Sequence, residues 1–533
     1  MTALLDRPAP PADTAAVSRP ATRAVFVAAL TGYLLLGAAL VFGFDSIMED
    51  ALARVSAAST VTAALDPKLA AVGFVWTPLP ALLMVPFAPL RAVWPGLVST
   101  GFLAVLVSAP AMAGVVAGVH GIAHDLRVRR SARAVLTAGT AVAPLLVVYA
   151  TNGMTEALLL VFLVLAVRRL LRWTAGPGRH TDLVAAGLFL GLGYLARYEA
   201  VVAAAAATTL VAAVTLHRTR YRPWAAVGAD VLLVGGPAVV AFVLWAGLSW
   251  LTVGSPFEQF TSAYGNAALT AGGTREPGGL ADVAVQLGAL APLGAVVAVA
   301  AAVVALRRRD PAAAVPVAVL GSVLAFEWAL RAGGQLFGFL RYQIAVLPLV
   351  TVLLALLLAG GAARPGRLRA VGATLLAAAV LGTSAWGSAA LVLTDPVRAT
   401  QEYHRIAPVV AALTGGPPAA GDANGMWAQD REVAERIDAL DLPDGSVLAD
   451  SGAAFAVLAA SARPSAFLVT SDDGFDAALA DPAGQGIRYV LRNDSGGVDA
   501  VRARHPDPSG WTRVASWPGA TRFSYTWSLW RVG

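Results

Sequence analysis

The stretch AVFVAALTGYLLLGAALVFG followed by FDSIMEDALAR, residues 24–54, joins a long apolar run to a short polar segment with three carboxylates. An apolar run of roughly 20 residues is long enough for a helix to cross a bilayer. Asp45, Glu49 and Asp50 therefore follow where the chain leaves the membrane. If this segment is helical, Asp50 and Arg54 stand one turn apart and can pair, as can Asp45 and Glu49 by position.

These acids have two interpretations. Acidic side chains at the positive end of a helix dipole are stabilised there without any chemical task, so a solvated helix start explains the pattern. A carboxylate at the membrane surface, oriented by a neighbouring arginine, also suits a general base that takes a proton from a hydroxyl group. The rest of the chain favours the second interpretation.

Composition indicates an integral membrane protein. Hydrophobic residues make up 57% of the 533 positions and charged residues 14%, against roughly a quarter in soluble domains. The net charge of +6 comes almost wholly from arginine, since Lys68 is the only lysine. The arginines lie in short clusters between apolar spans, which is typical of cytoplasmic membrane loops and not of nucleic-acid binding. The absence of cysteine excludes disulfides, thiolate metal sites and cysteine nucleophiles.

The arginine clusters predict the topology, because all of them become cytoplasmic if two spans separate each consecutive pair. The clusters lie at 127–133, 168–172, 218–222, 307–309 and 364–369. We predict about eleven transmembrane helices in the cell (plasma) membrane, with a cytoplasmic N-terminus and an extracytoplasmic C-terminus. Short spans are expected inside the bundle, beside a cavity. The predicted spans are 24–43, 97–123, 134–150, 157–171, 183–196, 200–216, 230–253, 282–306, 312–330, 342–361 and 370–393.

Three regions follow from this topology. Residues 1–22 are predicted to form a disordered cytoplasmic tail, and residues 23–393 the transmembrane domain. Its first extracytoplasmic loop, residues 44–95, is apolar but broken by prolines, which predicts interfacial or re-entrant helices. Residues 394–533 alternate apolar runs of strand length with alanine-rich helices, which predicts an extracytoplasmic soluble α/β domain with a largely parallel sheet. Its strands are predicted at 447–449, 466–469, 488–491 and 523–532.

Polar residues collect at the predicted outer ends of the spans. Each has an ordinary explanation, such as a helix-start acid or a structural ion pair. Because charges at span ends are costly unless they are paired or face water, acids and arginines on one face predict a shared polar cavity. Besides the first-loop residues, the candidates are Asn152, Glu156, Arg197, Tyr198, Glu199, Arg341 and Tyr342.

Such a cavity suits sugar transfer from a polyprenyl phosphate, whose tail lies in the bilayer and whose phosphate lies at its surface. The transfer needs a carboxylate that takes the acceptor proton and arginines that hold the leaving phosphate. The sequence contains no phosphate-binding glycine loop and no histidine spacing typical of a metal site. The lipid-linked sugar donor is the one cofactor-like ligand predicted. A divalent metal stays an open alternative, because the sequence gives no case for or against it.

Several short motifs, in this order, resemble those of the GT-C superfamily of membrane glycosyltransferases, near its protein O-mannosyltransferase and aminoarabinose-transferase-like branch. The resemblance covers residues 24–360. It implies an inverting transfer from a lipid-phosphate sugar to a cell-envelope acceptor outside the membrane, which is a glycan, a lipid or a protein. The motifs are the pair Glu49-Asp50, WTPLP at 76–80, NGMTE at 152–156, LARYEA at 195–200, and Arg341-Tyr342 with Leu347-Pro348.

The resemblance also implies a catalytic base. In the family the first-loop acid has this role, which falls by position on Asp50. Glu49 and Asp45 are alternatives, because the pair reads Glu-Asp instead of the usual Asp-Glu.

The other candidates receive binding roles. Arg54 is expected to orient the base, and Arg341 and Arg197 to hold the phosphate. Glu156 and Tyr342 are expected to line the pocket for the sugar or the acceptor. Two alternatives remain: a transporter or flippase for a lipid or solute, and a non-catalytic scaffold with a GT-C-like fold. The nearly charge-free spans and the lack of repeats favour an enzyme over a transporter.

Overall fold

A computed structural model describes residues 12–533, apart from 177–178, 220, 266–267, 269–278, 361–366, 418 and 420. The membrane domain consists of helices, joined by 3₁₀ segments at Leu69–Val72, Val85–Ala92, Pro311–Ala313 and Leu340–Gln343 and by a π-helical turn at Val317–Gly321. Its α-helices are Ala12–Phe44, Glu49–Ala63, Leu79–Met84, Gly96–Ser99, Phe102–Asp125, Arg130–Ala141, Pro144–Thr151, Glu156–Thr174, His180–Ala196, Ala200–Arg218, Pro223–Val253, Glu258–Thr261, Leu280–Leu290, Gly294–Arg308, Ala314–Pro316, Ser322–Ala332, Val346–Leu357 and Arg367–Thr394.

Within the described residues, seven helices are long and apolar enough to cross a membrane, and two bent helix pairs raise this number to nine. The bends are 52° after Arg130–Ala141 and 78° after Leu280–Leu290. The predicted number of about eleven is therefore too high by length and composition. The two predicted spans not among these nine, 157–171 and 183–196, are helices as well. However, Glu156–Thr174 ends in a cluster of arginines, and His180–Ala196 has only 17 residues.

The first helix begins earlier than predicted. Residues 12–22, assigned to a disordered tail, already belong to the helix Ala12–Phe44, and residues 1–11 lie outside the described part of the chain. The stretch is rich in alanine, which has the highest intrinsic helix propensity.

In the first loop, residues 44–95, every helix is short. The longest is Glu49–Ala63, with 15 residues, which we call the first-loop helix.

The arginine clusters meet at one end of the bundle. Arg168 donates a hydrogen bond from Nε to Oδ2 of Asp125 across 2.8 Å, which joins two of the loops that carry them. The hydroxyl oxygens of Ser131 and Thr374 lie 2.8 Å apart, which places Arg369, the described end of the last cluster, at the same end of the bundle. Arg218 donates to a backbone carbonyl at the end of the Glu156–Thr174 helix. Four of the five clusters therefore share one side of the domain.

The C-terminal region forms a small α/β domain. Its strands are Val447–Ala449 (β1), Phe467–Val469 (β2), Tyr489–Asn493 (β3), Thr512–Trp517 (β4) and Trp527–Arg531 (β5). Their order in the sheet is β2-β1-β3-β5-β4, with β1 parallel to β2 and β3, and β5 antiparallel to β3 and β4. The helices are Thr400–Thr414, Ala428–Asp438, Phe455–Ala460, Phe475–Ala480 and Ala500–Arg504.

The sheet is mixed, so the prediction of a largely parallel sheet holds for only one half of it. The parallel half was recognisable because helices separate its strands. Strand β4 was not predicted, because exposed residues occupy most of its positions and leave no apolar run. The last strand begins at Trp527, later than predicted, because the preceding residues form a bonded turn around Thr521 and Ser524.

The C-terminal domain packs directly on the first loop. Its helix Phe455–Ala460 lies against the first-loop helix. The Nζ of Lys68, near the middle of this loop, is 2.7 Å from the Asp473 carboxylate of the domain. Trp427 and Phe455 of the domain belong to the same buried apolar cluster as Ile47 of the loop. The first loop is therefore held between the membrane bundle and the C-terminal domain.

Candidate active site

The first-loop acids lie at a turn and a helix start. Asp45 has a positive φ of 50°, a conformation that Asp tolerates better than most residues, and it turns the chain out of the first span. Met48 is the N-cap, and Glu49 and Asp50 occupy the first turn of the first-loop helix. Since Asp45 precedes the helix, the predicted one-turn pairing of Asp45 with Glu49 is wrong.

Two of the three acids are bonded to the C-terminal domain. The carboxylate of Asp45 accepts two hydrogen bonds from Arg431, at 3.2 and 2.5 Å. Oε1 of Glu49 accepts a hydrogen bond from the Tyr525 hydroxyl across 2.8 Å. Asp45 therefore joins the two domains, whereas Glu49 keeps one oxygen free of this contact and stays partly open to solvent.

Asp50 faces the membrane domain instead. Its Oδ2 lies 3.1 Å from Nη1 of Arg341. Arg54 donates to the backbone carbonyl of Asp50 across 3.0 Å, and its guanidinium lies 4.3 Å from the ring centre of Trp76. The predicted pairing of Arg54 with the Asp50 carboxylate is thus wrong. Arg341 orients this carboxylate, and Arg54 braces the helix backbone beneath it.

Ion pairs continue from Asp50 into the bundle. Nε of Arg341 lies 3.7 Å from Oε1 of Glu156, and Nη1 of Arg197 lies 2.7 Å from the same oxygen. Arg197 also contacts Glu199 across 2.6 Å. Acids and arginines thus alternate across one site, with the Glu156 side chain only 2% exposed. Among the described residues, no three acids or histidines are grouped to hold a metal ion.

The remaining predicted residues surround this charged site. Asn152 accepts a hydrogen bond from the backbone amide two residues on, across 3.0 Å, which fixes the turn before Glu156. Tyr198 donates to the Val75 carbonyl across 3.2 Å and ties the bundle to the first loop. The ring of Tyr342 lies 5.4 Å from the Arg341 guanidinium. The site residues named from the sequence are therefore brought to one place, except Asp45, which lies at its edge.

The two adjacent acids differ in acidity. Desolvation raises the pKa of Glu49, and the hydrogen bond from Tyr525 offsets only part of that increase. Burial also opposes ionisation of Asp50, but Arg341 and Arg54 outweigh it and hold its pKa below the ordinary value. Environments that push two neighbouring pKa values apart assign different roles to the two groups. Of the two acids, Asp50 is therefore the one whose ionised form the site stabilises more.

The sequence analysis missed three residues of the site. Tyr525 comes from the loop before β5, and nothing in its sequence surroundings marks it. Glu402, from the helix Thr400–Thr414, is fully buried and accepts a hydrogen bond from the Tyr149 hydroxyl across 2.5 Å. Glu327 is 3% exposed and is the only acid in the span Pro311–Ala332. A lone acid within an apolar span was a signal that could have identified Glu327.

Solved structures of similar fold are known. ArnT from Cupriavidus metallidurans bound to undecaprenyl phosphate matches with a TM-score of 0.54 over 95% of this chain and 97% of that chain, at 14% identity. ArnT in the apo state gives a TM-score of 0.53 over 96% and 98%, also at 14% identity. The oligosaccharyltransferase AglB from Archaeoglobus fulgidus gives 0.46 over 88% and 69%, at 13% identity. No protein-family model matches the sequence, and no curated protein matches it significantly.

The likeness to ArnT extends over nearly the whole length of both chains. Since it covers 95% of this chain, it takes in the helical membrane domain and most of the C-terminal domain. The chain is therefore a multi-pass membrane protein with the fold of ArnT.

Proposed function

We propose that this chain is an inverting membrane glycosyltransferase that moves a sugar from a polyprenyl phosphate to an acceptor outside the cytoplasm. The observation that carries the proposal is the contact between Asp50 and Arg341, at 3.1 Å. An ionised carboxylate and a guanidinium side by side are what proton removal and phosphate departure require. The shared fold with ArnT bound to undecaprenyl phosphate supports a lipid phosphate as the donor.

The proposed reaction is a displacement of the phosphate from the anomeric carbon of the sugar by the acceptor hydroxyl. The acceptor hydroxyl gives its proton to the Asp50 carboxylate while its oxygen forms a bond to the anomeric carbon. The bond from that carbon to the phosphate oxygen breaks, and the electron pair remains on the departing polyprenyl phosphate. Because the acceptor attacks from the side opposite the phosphate, the anomeric configuration inverts.

Arg341 is the better of the two predicted phosphate ligands. Arg197 contacts both Glu156 and Glu199 at 2.6–2.7 Å, so these two acids balance its charge. Arg341 makes longer contacts, at 3.1 Å to Asp50 and 3.7 Å to Glu156. Its guanidinium therefore keeps more capacity for a phosphate, while Arg197 fixes the acids behind it.

The arginine clusters support one orientation in the membrane. Cytoplasmic loops of membrane proteins carry an excess of arginine and lysine. We therefore place the shared end of the clusters in the cytoplasm, with the candidate active site and the C-terminal domain at the opposite face of the plasma membrane. The acceptor then belongs to the cell envelope.

The test uses the full chain in lipid nanodiscs. The donor is the lipid-linked sugar that accumulates in a strain lacking the chain, identified by mass spectrometry. We expect the purified protein to consume this lipid and release polyprenyl phosphate in the presence of envelope extract. If no such lipid accumulates, or if the protein only moves intact lipid between leaflets, the transporter alternative replaces this proposal.

Tyr525→Phe tests the link between Glu49 and the reaction. Burial raises the pKa of Tyr525, so its hydroxyl remains a hydrogen-bond donor to Glu49 and lowers the pKa of that acid. An ionised Glu49 stabilises the proton that arrives on Asp50. Without the hydroxyl, we expect the acidic limb of the kcat/KM profile to move to higher pH by about 0.5–1 unit, which matches a hydrogen bond of about 1 kcal/mol.

Tyr489→Phe is the matched control for this measurement. Tyr489 lies in β3 of the same domain, where it pairs with Val447 and Arg531 in the sheet. Its replacement should leave the pH profile unchanged. Equal profiles for Tyr525→Phe and the unaltered chain would show that Glu49 does not influence the reaction.

A further inference from the structure

Seven buried polar side-chain atoms in and around the site have no hydrogen-bond partner within the described part of the chain. Buried polar groups in folded proteins are nearly always bonded, so a group of unbonded ones points to a bound ligand. The seven atoms are the donors Nε of Arg54, Nδ2 of Asn152 and Nε of Arg341, and the acceptors Oε2 of Glu156, Oε2 of Glu327, Oε2 of Glu402 and Oε1 of Gln343.

The two kinds of atoms call for two kinds of ligand chemistry. Unbonded donors on arginine match the oxygens of a phosphate, which only accept hydrogen bonds when ionised. Unbonded carboxylate oxygens repel a phosphate and match hydroxyl groups, which donate. A sugar joined to a phosphate supplies both kinds of group in one molecule.

The proposed reaction uses neither Glu402 nor Glu327. Glu402 already accepts a hydrogen bond from the Tyr149 hydroxyl, so the candidate for a ligand contact is Glu327. It lies five residues before the end of the span Pro311–Ala332, or about 7.5 Å along the helix axis. The π-helical turn Val317–Gly321 precedes it in the same span, and such turns are frequent at functional sites. The side chain is therefore positioned within the membrane domain, below its outer surface.

Glu327 belongs to the same electrostatic cluster as the rest of the site. Its carboxyl interacts with the charges of Glu199, Arg197, Glu156 and Arg341. Arg197 is already bonded to two other acids, and Arg341 contacts Asp50 and Glu156. In the described chain, Glu327 thus has neighbouring arginines but no ion pair of its own. A carboxyl that is buried without a partner is costly unless a ligand bonds to it.

We propose that Glu327 is a specificity-determining residue that accepts hydrogen bonds from hydroxyl groups of the donor's sugar. The inference rests on the proposed function and assigns the sugar end of the donor to Glu327 and the phosphate end to Arg341. Glu156 contributes a second acceptor oxygen to the sugar end. A site built to bond hydroxyl groups rejects analogues that lack them, because its buried acceptors are then left unpaired.

The test compares two ligands on the full chain in nanodiscs, with binding measured by native mass spectrometry. One probe is undecaprenyl phosphate, and the other is the lipid-linked sugar from the strain lacking the chain. For Glu327→Gln we expect the affinity for the lipid-linked sugar to fall at least about tenfold, a loss within the range for a buried hydrogen-bonding group that is left without its partner. The affinity for undecaprenyl phosphate should stay within about twofold, since the phosphate does not contact Glu327.

Three further measurements make the outcome decisive. Glu435→Gln, at an exposed position of the C-terminal domain, is the control and should change neither affinity. Thermal unfolding shows whether Glu327→Gln folds, and Glu327→Asp replaces it if it does not. Equal losses for both probes, or no loss for either, would overturn the assignment of Glu327. Failure of the unaltered chain to bind either probe would instead overturn the proposed function.

Discussion

Asp50→Asn is expected to reduce sugar transfer by about 10²–10⁴-fold, the usual contribution of a general base. Asparagine has nearly the same shape as aspartate but cannot accept the acceptor proton. The variant removes one of the two negative charges that contact Arg341, and the contact with Glu156 remains. We therefore expect the affinity of the variant for undecaprenyl phosphate to lie within about threefold of that of the unaltered chain, which corresponds to a change in binding free energy of less than about 1 kcal/mol. The measurements are single-turnover transfer and native mass spectrometry.

Asp45→Asn is the matched control, since it makes the same chemical change five residues away. Asp45 bonds to Arg431 of the C-terminal domain, so its replacement weakens the contact between the domains. We expect a lower Tm and a decrease in transfer of less than about tenfold, because no group that meets the substrate is lost. If Asp45→Asn abolishes transfer while Asp50→Asn retains it, the base has been assigned to the wrong residue.

Arg341→Gln is expected to weaken undecaprenyl phosphate binding about 100-fold, or about 2.7 kcal/mol, which is a typical loss for charge-assisted hydrogen bonds. The same change leaves Asp50 and Glu156 without a cation that both of them contact. Transfer should fall more than binding does, because Arg341 also positions the Asp50 carboxylate through its contact at 3.1 Å. Binding is followed by native mass spectrometry, and transfer by release of polyprenyl phosphate.

Two further variants distinguish the loss of a phosphate ligand in Arg341→Gln from a loss of folded structure. Arg398→Gln removes an arginine that pairs with Asp282 and Asp395 away from the site, and it should leave binding unchanged. Arg341→Lys keeps the charge but not the planar fork, so it should recover only part of the affinity. If Arg341→Gln binds undecaprenyl phosphate as the unaltered chain does, the phosphate lies elsewhere.

The helical part of the fold could be predicted because apolar runs and arginine clusters are local signals. Each predicted span corresponds to a helix or to a bent pair of helices. The errors are that two of these helices are too charged or too short to count as membrane spans, and that the two bends were not predicted. The 78° bend after Leu280–Leu290 lies inside a single apolar run, so hydropathy alone did not reveal it. Strand β4 lacks an apolar run and was missed for the same reason.

The site was harder to predict, because its contacts join distant parts of the chain. Arg341 and Asp50 are 291 residues apart, and only the order of family motifs placed them together. The nearer pairing, Asp50 with Arg54, followed from helical spacing and was wrong because the Arg54 side chain bonds to the backbone. Tyr525 is 476 residues from Glu49, and no motif marks it. Long-range contacts of this kind depend on how the C-terminal domain packs on the first loop.

The central claim is that acids and arginines from separate parts of the chain form one site for a polyprenyl phosphate. Photocrosslinking with undecaprenyl phosphate that carries a photoreactive group next to the phosphate tests it most directly. Mass spectrometry of the labelled full chain should find the label in peptides containing Asp50, Asn152 to Glu156, or Arg341, and excess undecaprenyl phosphate should abolish it. Labelling confined to the end of the bundle that carries the arginine clusters would contradict the account.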